Sequence, residues 1–211
     1  MILLFLHGWA FDRTLWRDVI GLLPRLDCRL ADRGYFGAPA VADCSDDVVA
    51  VTHSLGTMHL LAAPPPHCRG LVAINGFDRF CAAPGFPGVP RRVVDRMAVR
   101  MAADASAVVN DFRARCGMGG APAMQAADVL AADLALLRDG DCREQASRWQ
   151  APLVLLDAHD DPILPAALRG AAFGGTPGAR RIMQERGGHL LPVTLPGACA
   201  AAISELVESL G

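Results

Sequence analysis

The sequence predicts an α/β protein, in which a mostly parallel, doubly wound sheet of about six strands carries a helical cap insertion. Three observations predict this fold class. Short apolar runs without polar alternation recur along the chain, as expected for strands covered on both faces. Helical patterns separate most of these runs. A serine stands directly between one such run and the helical pattern that follows it.

The predicted strands are short and rich in aliphatic residues. They are residues 2–6, 28–31, 48–52, 70–74, 152–157 and 180–183. Helices are predicted at 13–23 and 58–63. A C-terminal helix is predicted because its apolar residues keep the i, i+3, i+4, i+7 spacing of one buried stripe, namely Ile203, Leu206, Val207 and Leu210.

One long segment, residues 77–149, interrupts the alternation of strands and helices. It contains no strand pattern, and proline and glycine residues separate helical stretches near 90–103, 104–116 and 122–138. We therefore expect a helical cap at 77–149, inserted into a core formed by 1–76 and 150–211. Such a cap would cover the carboxyl edge of the sheet, where α/β proteins bind ligands. The alternative is a long inserted segment that only packs against the core and has no role in substrate binding.

Length and composition indicate one globular core. The chain has 211 residues, 52% of them hydrophobic, and can bury roughly 70% of its unfolded surface. A formal net charge of −2 gives no basis for a nucleic-acid partner. No stretch approaches the about 18 apolar residues of a membrane span, so no membrane partner is expected. We expect a monomer.

Cysteine usage indicates a reducing compartment. The seven cysteines are odd in number and show no C-x-x-C spacing. The apolar start, residues 1–6, is short and lacks a basic beginning, so it is interpreted as a strand and not as a signal peptide. We therefore expect a cytoplasmic protein with free thiols.

Ser54 is the predicted nucleophile. The apolar run 48–51 leads into Thr52-His53-Ser54-Leu55-Gly56, and a helical pattern follows. Small residues around a serine at such a corner let the backbone turn sharply and expose the hydroxyl, as in the G-x-S-x-G elbow. Thr52 stands where that motif has its first glycine. The alternative is a serine that only caps a helix.

The partners of the serine should follow it in the order acid, then histidine. His189, after the last predicted strand, is the candidate general base, because a near-neutral imidazole can take and return the serine proton. Asp161 is the favoured acid, with Asp160 competing closely and with Asp157 and Asp78 as weaker candidates. The alternatives are a turn-forming aspartate and a locally bonded histidine.

The backbone N–H groups of Trp9 and Leu55 are the predicted oxyanion hole. Trp9 follows the first strand, and Leu55 follows the nucleophile. Both donors would be fixed by the fold, so they need little reorganisation as charge develops on the substrate oxygen. The Trp9 side chain itself is expected in the core.

The remaining histidines do not suggest a metal site. His53, His59 and His67 lack the spacing and the accompanying carboxylates of a ligand set. His53 is expected to line the pocket beside the nucleophile, and His7 to orient its own loop. We predict no metal and no organic cofactor.

Together these residues resemble an α/β-hydrolase. The motifs are Leu6-His7-Gly8-Trp9, Asp32-Arg33-Gly34-Tyr35-Phe36-Gly37, His53-Ser54-Leu55-Gly56, Asp161-Pro162-Ile163-Leu164-Pro165 and Gly188-His189. Within that superfamily the chain resembles the pimeloyl-acyl-carrier-protein methyl ester esterases of biotin synthesis. The narrower resemblance is carried by Ala73-Ile74-Asn75-Gly76, Gly88-Val89-Pro90 and Asp111-Phe112-Arg113-Ala114-Arg115-Cys116-Gly117. The link 33–47 is shorter than in that pattern, which has a helix there.

The resemblance implies an α/β-hydrolase fold and a serine carboxylesterase with a Ser-His-Asp triad. Its substrate would be the methyl ester of a pimeloyl chain on an acyl carrier protein, and its products the free acid and methanol. Two alternatives remain. One is a general small-ester or thioester hydrolase of the same fold, and the other is a hydrolase-fold binding protein without turnover.

An acidic carrier protein needs a basic docking face and an apolar channel for its cargo. In the predicted helix near 90–103, Arg92, Arg96 and Arg100 lie opposite the face formed by Val94, Met97, Ala98 and Met101. We expect these arginines to bind the carrier protein. The acyl channel is expected to be lined by Met97, Met101 and Phe112. The alternatives are an ordinary solvated helix face and methionines that only fill the core.

Overall fold

The computed structural model describes residues 1–211 and contains one sheet of six parallel strands. The strands are β1 Ile2–Leu6, β2 Asp27–Ala31, β3 Val48–His53, β4 Cys68–Ile74, β5 Leu153–Ala158 and β6 Arg180–Gln184. Their order across the sheet is β2-β1-β3-β4-β5-β6. The predicted fold class is therefore confirmed, and each predicted strand is present with no end shifted by more than two residues.

Burial explains why the strands can be recognised in the sequence as apolar runs. All residues of the central strands β3 and β5 are buried, which matches their unbroken apolar runs. The edge strand β2 differs, because its residues are exposed or only half-buried. The main hydrophobic core comprises 53 buried residues and includes both faces of the sheet and the inner sides of the helices.

Helices connect the strands and flank the sheet. After a 3-10 turn at Arg13–Trp16, they are α1 Arg17–Gly21, α2 Leu55–Ala62, α3 Arg91–Ala103, α4 Ala105–Arg115, α5 Ala127–Asp139, α6 Arg143–Ser147, α7 Ala166–Ala171, α8 Leu191–Thr194 and α9 Pro196–Glu208. Helix α1 packs against α8 and α9, whereas α2 packs against α6 and β1. No helix combines the length and the apolar character needed to cross a bilayer.

Two helix predictions need correction. The predicted helix at 13–23 begins as a 3-10 turn and ends at Gly21. The predicted helix at 122–138 begins only at Ala127, because the backbone N–H groups of Gln125 and Ala126 donate to the Tyr35 carbonyl instead of entering a helix. Helices α6 and α8 were not predicted, since each is too short to show a periodic pattern.

The link between β2 and β3 contains no helix, in agreement with its short length. Asp32 and Ala40 form an isolated antiparallel bridge, with both N–H···O distances at 2.9 Å. An open cavity of about 390 Å³ lies beside this link, and its lining includes Leu4, Leu6 and Ala31. Gly56 also lines it, but Ser54 does not.

Four helices, α3–α6, lie between β4 and β5. Buried polar contacts fasten them to the rest of the chain. Asp133 on α5 accepts two hydrogen bonds of 2.8 Å from Arg33 and a third from the Tyr35 hydroxyl. Arg113 on α4 donates to the Ala10 carbonyl at 2.9 Å. We propose 77–149 as a cap unit on this basis, with 1–76 and 150–211 as the core.

Candidate active site

Ser54 occupies a sharp corner between β3 and α2. Its backbone has φ 52° and ψ −123°, a conformation that costs a non-glycine residue about 1–3 kcal/mol. The Ser54 N–H donates to the Ile74 carbonyl at 3.1 Å, which helps to hold the corner. Strain of this kind is expected at a nucleophile elbow, where the hydroxyl must stand clear of the sheet.

Gly56 supplies the close approach that the elbow requires. A Cβ atom there would lie 2.6 Å from the Leu6 carbonyl oxygen and 2.7 Å from that of His7. Thr52 is a different case. It is a regular β3 residue in register with Leu6 and Ala73, and its hydroxyl lies 2.7 Å from that of Thr57. Threonine therefore fits without forcing the turn.

Three side chains from distant parts of the chain meet at the carboxyl edge of the sheet. His189 Nε2 lies 3.1 Å from Ser54 Oγ, and His189 Nδ1 lies 2.8 Å from Asp161 Oδ2. Because an ionised carboxylate only accepts hydrogen bonds, Nδ1 carries the proton in neutral His189. Nε2 is then free to accept the Ser54 hydroxyl proton. This arrangement can activate a serine for attack on a carbonyl carbon.

Asp161 is held as an ionised acid. Burial alone would raise its pKa, but the adjacent His189 and hydrogen bonds from His189, Ile163 and Leu164 lower the pKa of Asp161 below its ordinary value. The two backbone N–H groups, of Ile163 and Leu164, reach Oδ1 at 2.7 and 3.1 Å. One carboxylate oxygen is therefore fixed by the backbone while the other faces the imidazole.

The three other candidate acids have other partners. Asp160 accepts from the backbone N–H of Gly188 at 2.8 Å. Asp157 pairs with Arg181, and burial raises the pKa of Asp157 to about 6. Asp78 accepts from the Phe173 N–H at 3.0 Å, and burial raises its pKa as well. Among the four, Asp161 is the one that contacts His189.

The predicted oxyanion donors are the backbone N–H groups of Trp9, after β1, and of Leu55, directly after Ser54. The Trp9 N–H donates to no protein acceptor, and Leu55 is the first residue of α2, so its N–H has no partner within the helix. A helix N-terminus also favours negative charge. The Trp9 side chain is buried, and its Nε1 donates to the Leu130 carbonyl at 2.9 Å.

His7 fastens the loop that carries Trp9. Its Nε2 accepts from the Arg33 N–H at 3.0 Å, and its Nδ1 lies 2.9 Å from the Gly8 carbonyl oxygen. These two partners require the Nδ1-protonated neutral form, because Nε2 must present a lone pair. The side chain thus links the loop after β1 to the loop after β2, in keeping with the role expected from the sequence.

A cavity of about 250 Å³, here called the cap cavity, lies between α3, α4, α5 and the loop after β5. Its fourteen lining residues are mostly apolar and include Met97, Phe112 and Asp161. The Phe112 ring lies 5.0 Å from the Trp9 ring and 6.4 Å from that of His189, measured between centroids. Met97 and Phe112 therefore line a cavity that also reaches Asp161, whereas Ser54 and His189 do not line it. Met101 is buried in the core and lines no part of this cavity.

The three predicted docking arginines are exposed on the outer side of α3. Here they are called the basic face (Arg92, Arg96 and Arg100). Arg100 pairs with Asp111 of α4 at 2.6 Å. A second cavity of about 280 Å³ is lined by Arg96 and Arg100, and it shares Val93, Met97, Phe112 and Arg115 with the cap cavity. The basic face and the cap cavity are thus neighbours.

Asn75 is a residue near the site whose structural role the sequence did not indicate. It follows β4, has a positive φ of 44°, and its side chain binds the loop that carries His189. An asparagine directly after a buried strand is the available signal, because asparagine tolerates left-handed backbone better than most residues. All seven cysteines are free thiols. No group of three or more potential metal-ligating side chains is present.

No protein-family model matches the chain. Curated proteins with similar sequences carry the name pimeloyl-[acyl-carrier protein] methyl ester esterase. The one from Sodalis glossinidius (strain morsitans) is 27% identical over 197 residues, covering 77% of this chain and 76% of that protein. The one from Legionella pneumophila (strain Corby) is 24% identical over 213 residues, covering 90% and 88%. The resemblance deduced from the motifs is therefore confirmed along most of the chain.

Solved structures share the fold. An esterase from Exiguobacterium antarcticum has a TM-score of 0.80 at 15% identity, covering 99% of this chain and 92% of that chain. A bromoperoxidase from Bacillus anthracis has a TM-score of 0.81 at 12% identity, covering 98% and 91%. The chain thus has the α/β-hydrolase fold, which these proteins combine with different named activities.

Proposed function

We propose that this α/β-hydrolase is a serine carboxylesterase, and that its substrate is the methyl ester of a pimeloyl chain carried by an acyl carrier protein in biotin synthesis. One observation carries the proposal of ester hydrolysis: the hydrogen-bonded series Ser54, His189 and Asp161 at a strained elbow. The named relatives support the choice of substrate.

The proposed reaction begins with attack of Ser54 Oγ on the ester carbonyl carbon while His189 Nε2 takes the hydroxyl proton. Asp161 stabilises the imidazolium that forms. The Trp9 and Leu55 N–H groups would receive the oxyanion, and each such donor is worth about 10²–10³ in rate. His189 then returns the proton to the leaving methoxide, which departs as methanol. His189 then takes a proton from the water that attacks the acyl-enzyme and returns it to Ser54 Oγ as the acid leaves and ionises to the carboxylate.

The cap suits a substrate presented by a carrier protein. The proposed path runs from the basic face, past the cavity shared with Arg96 and Arg100, to the apolar cap cavity beside His189. Exposed arginines would attract an acidic carrier and raise its association rate. The apolar lining, which includes Met97 and Phe112, would bury the methylene chain. Free thiols suit the cytoplasm, which is the compartment we propose.

Two other functions use the same fold. A general small-ester or thioester hydrolase needs the Ser54 machinery but not the basic face. A binding protein without turnover needs neither, yet the distance of 3.1 Å between Ser54 Oγ and His189 Nε2 favours an active nucleophile.

The decisive comparison is turnover of the carrier-linked methyl ester against free methyl and short-chain esters under identical conditions. We expect a kcat/KM at least about 10-fold higher for the carrier-linked ester, because steering by the basic face acts on it alone. Equal values would favour the general hydrolase. Failure of a fluorophosphonate to label Ser54 would favour the binding protein.

A further inference from the structure

The backbone carbonyl of His189 accepts hydrogen bonds from two buried side chains. His53 Nε2 lies 2.8 Å from this oxygen, and Asn75 Nδ2 lies 2.9 Å from it. Both side chains are fully buried. Since a carbonyl oxygen has two lone pairs, these donors occupy its full accepting capacity. The peptide group that follows the His189 α-carbon is thereby held from two directions.

Asn75 uses its whole side chain to join three segments. Nδ2 also donates to the Gly188 carbonyl at 3.0 Å, and Oδ1 accepts from the Ala158 N–H at 3.0 Å. Its own backbone N–H donates to the Leu156 carbonyl at 2.8 Å. One residue at the end of β4 thus connects the end of β5 to the loop that carries His189. Its positive φ aims the amide into this position.

The loop before His189 needs such support. Gly187 and Gly188 have φ values of 139° and 63°, and glycine has the largest conformational entropy to lose on folding. Two other side chains hold this loop, and both are exposed. Asp160 accepts from the N–H groups of the two glycines, and the Thr194 hydroxyl donates to the Gly187 carbonyl at 2.7 Å. The backbone of His189 is therefore fixed from the interior of the protein.

The contact with the His189 carbonyl fixes the tautomer of His53. Because the His189 carbonyl can only accept, His53 Nε2 must carry the proton, and Nδ1 presents a bare lone pair. That Nδ1 is buried and has no hydrogen-bond partner. Leaving a buried acceptor without a partner is unfavourable. The His53 ring also packs 4.8 Å from the His189 ring, between centroids.

We propose that His53 and Asn75 are positioning residues that hold the His189 carbonyl, and through it keep the imidazole within reach of Ser54. Neither residue touches the reacting atoms. The inference rests on the proposed function, since it assigns His189 the role of general base. A displacement of about 1 Å in a catalytic group can cost about 10²-fold in rate. Two donors on one oxygen make that displacement unfavourable.

Variants can separate positioning from packing. His53→Phe keeps an aromatic ring but removes the donor, whereas His53→Gln places an N–H group near the position of Nε2. Asn75→Gly accepts the left-handed backbone but removes the amide. Asn110→Gly, on the exposed side of α4, is the control for a loss of stability without contact to His189. Each variant is measured for kcat and KM on a soluble nitrophenyl ester and for its thermal unfolding midpoint.

We expect His53→Phe and Asn75→Gly to lower kcat about 10²-fold with KM changed less than about 3-fold. His53→Gln should restore kcat to within about 10-fold of wild type. The double variant His53→Phe/Asn75→Gly should lose less than the product of the single losses, because both donors act on one oxygen. Wild-type kcat in a folded His53→Phe or Asn75→Gly would overturn the proposal. So would a loss in Asn110→Gly as large as theirs.

The low-field NMR signal of the His189 Nδ1 proton, bonded to Asp161, reports positioning without turnover. We expect this signal in wild type and its broadening or loss in His53→Phe. An inactive wild type that shows this pattern would refute the proposed esterase but not the positioning role. An active wild type whose signal and kcat both survive His53→Phe and Asn75→Gly would refute the positioning role alone.

Discussion

Asp161 Oδ2 lies 2.8 Å from His189 Nδ1, while the other oxygen of the same carboxylate accepts two backbone N–H groups. These contacts of the two carboxylate oxygens both fix the acid and keep it ionised. The backbone bonds prevent rotation, and the free oxygen faces the imidazole. The geometry favours Asp161 over Asp160 as the residue that orients the base.

The choice of acid can be tested by a matched pair of amides. In Asp161→Asn, Oδ1 can still accept from Ile163 and Leu164, so the amide N–H₂ must face His189 Nδ1. That N–H₂ forces the wrong tautomer, and we expect kcat to fall about 10²–10⁴-fold. Asp160→Asn should stay within about 3-fold of wild type, because Asp160 is exposed and binds only Gly187 and Gly188. Steady-state kinetics on one ester compare both variants. A greater loss in Asp160→Asn would contradict the assignment.

The pH dependence of stability should reveal the buried His53. Burial, the adjacent His189 and, to a lesser degree, His7 lower the pKa of His53 to about 3, although the His189 carbonyl and Asp161 act in the opposite direction. The unfolded chain binds a proton at this residue below about pH 6.5, whereas the folded chain resists it. The contribution of His53 to stability therefore falls as pH drops from about 6.5 towards 3.

Comparison with His53→Gln isolates this effect, because both proteins share their other titrating groups. Between about pH 6 and pH 4, the free energy of unfolding of wild type should fall relative to the variant by about 1.4 kcal/mol per pH unit. Urea unfolding at each pH measures it. Parallel pH curves for the two proteins would show that His53 does not stay neutral in the folded state.

Asp133 should anchor the proposed cap. Burial alone would raise its pKa, yet the adjacent His59 ring and hydrogen bonds from Arg33 and Tyr35 lower the pKa of Asp133 to about 2. Asp133→Leu would leave the Tyr35 hydroxyl and Arg33 without their partner. Breaking a buried pair typically costs about 3–5 kcal/mol, but the Arg33 side chain is 42% exposed and can regain water. We therefore expect a loss of about 2–3 kcal/mol in the free energy of unfolding.

Denaturant unfolding of Asp133→Leu, with Asp128→Leu as control, tests this anchor. Asp128 lies on the same helix but is exposed, so its replacement should cost below about 1 kcal/mol. Equal losses in the two variants would show that the contacts of Asp133 add nothing to stability.

Charge reversal tests the basic face. Arg92→Glu/Arg96→Glu leaves the Arg100–Asp111 pair intact and should lower kcat/KM for the carrier-linked ester about 10-fold or more at low salt. Turnover of a free ester should not change. Arg17→Glu/Arg25→Glu alters net charge equally but lies in and after α1, away from the cap, and should leave both reactions near wild type. Identical effects of the two double variants would refute a docking role for this face.

The elements of the sheet were predictable because burial on both faces leaves an apolar run with no alternation, as in β3 and β5. Helix α3 was predictable because Val94 and Met101 face inward while its arginines face water. The start of α5 was not predictable, since it depends on a contact with Tyr35 about ninety residues away. Short helices such as α8 have no periodic pattern.

At the site, the order serine, acid, histidine could be predicted from the sequence because each residue follows a predicted strand. The structure brings Ser54, Asp161 and His189 together, and their catalytic role stays a prediction. The hydrogen bond from the Asn75 side chain to the His189 carbonyl could not be predicted from the sequence, because the two residues are 114 positions apart. Thr52 stands where the elbow motif has its first glycine, whereas the close backbone approach at the elbow occurs at Gly56.

Ser54 is proposed to cleave a methyl ester held on an acyl carrier protein. The most direct measurement incubates wild type and Ser54→Ala side by side with the methyl pimeloyl carrier protein, and follows methanol release together with the intact mass of the carrier. We expect wild type to release methanol while the carrier loses the mass of one CH₂ group, and Ser54→Ala to release no methanol and leave the carrier mass unchanged. An unchanged carrier with wild type, or equal hydrolysis by Ser54→Ala, would contradict the proposal.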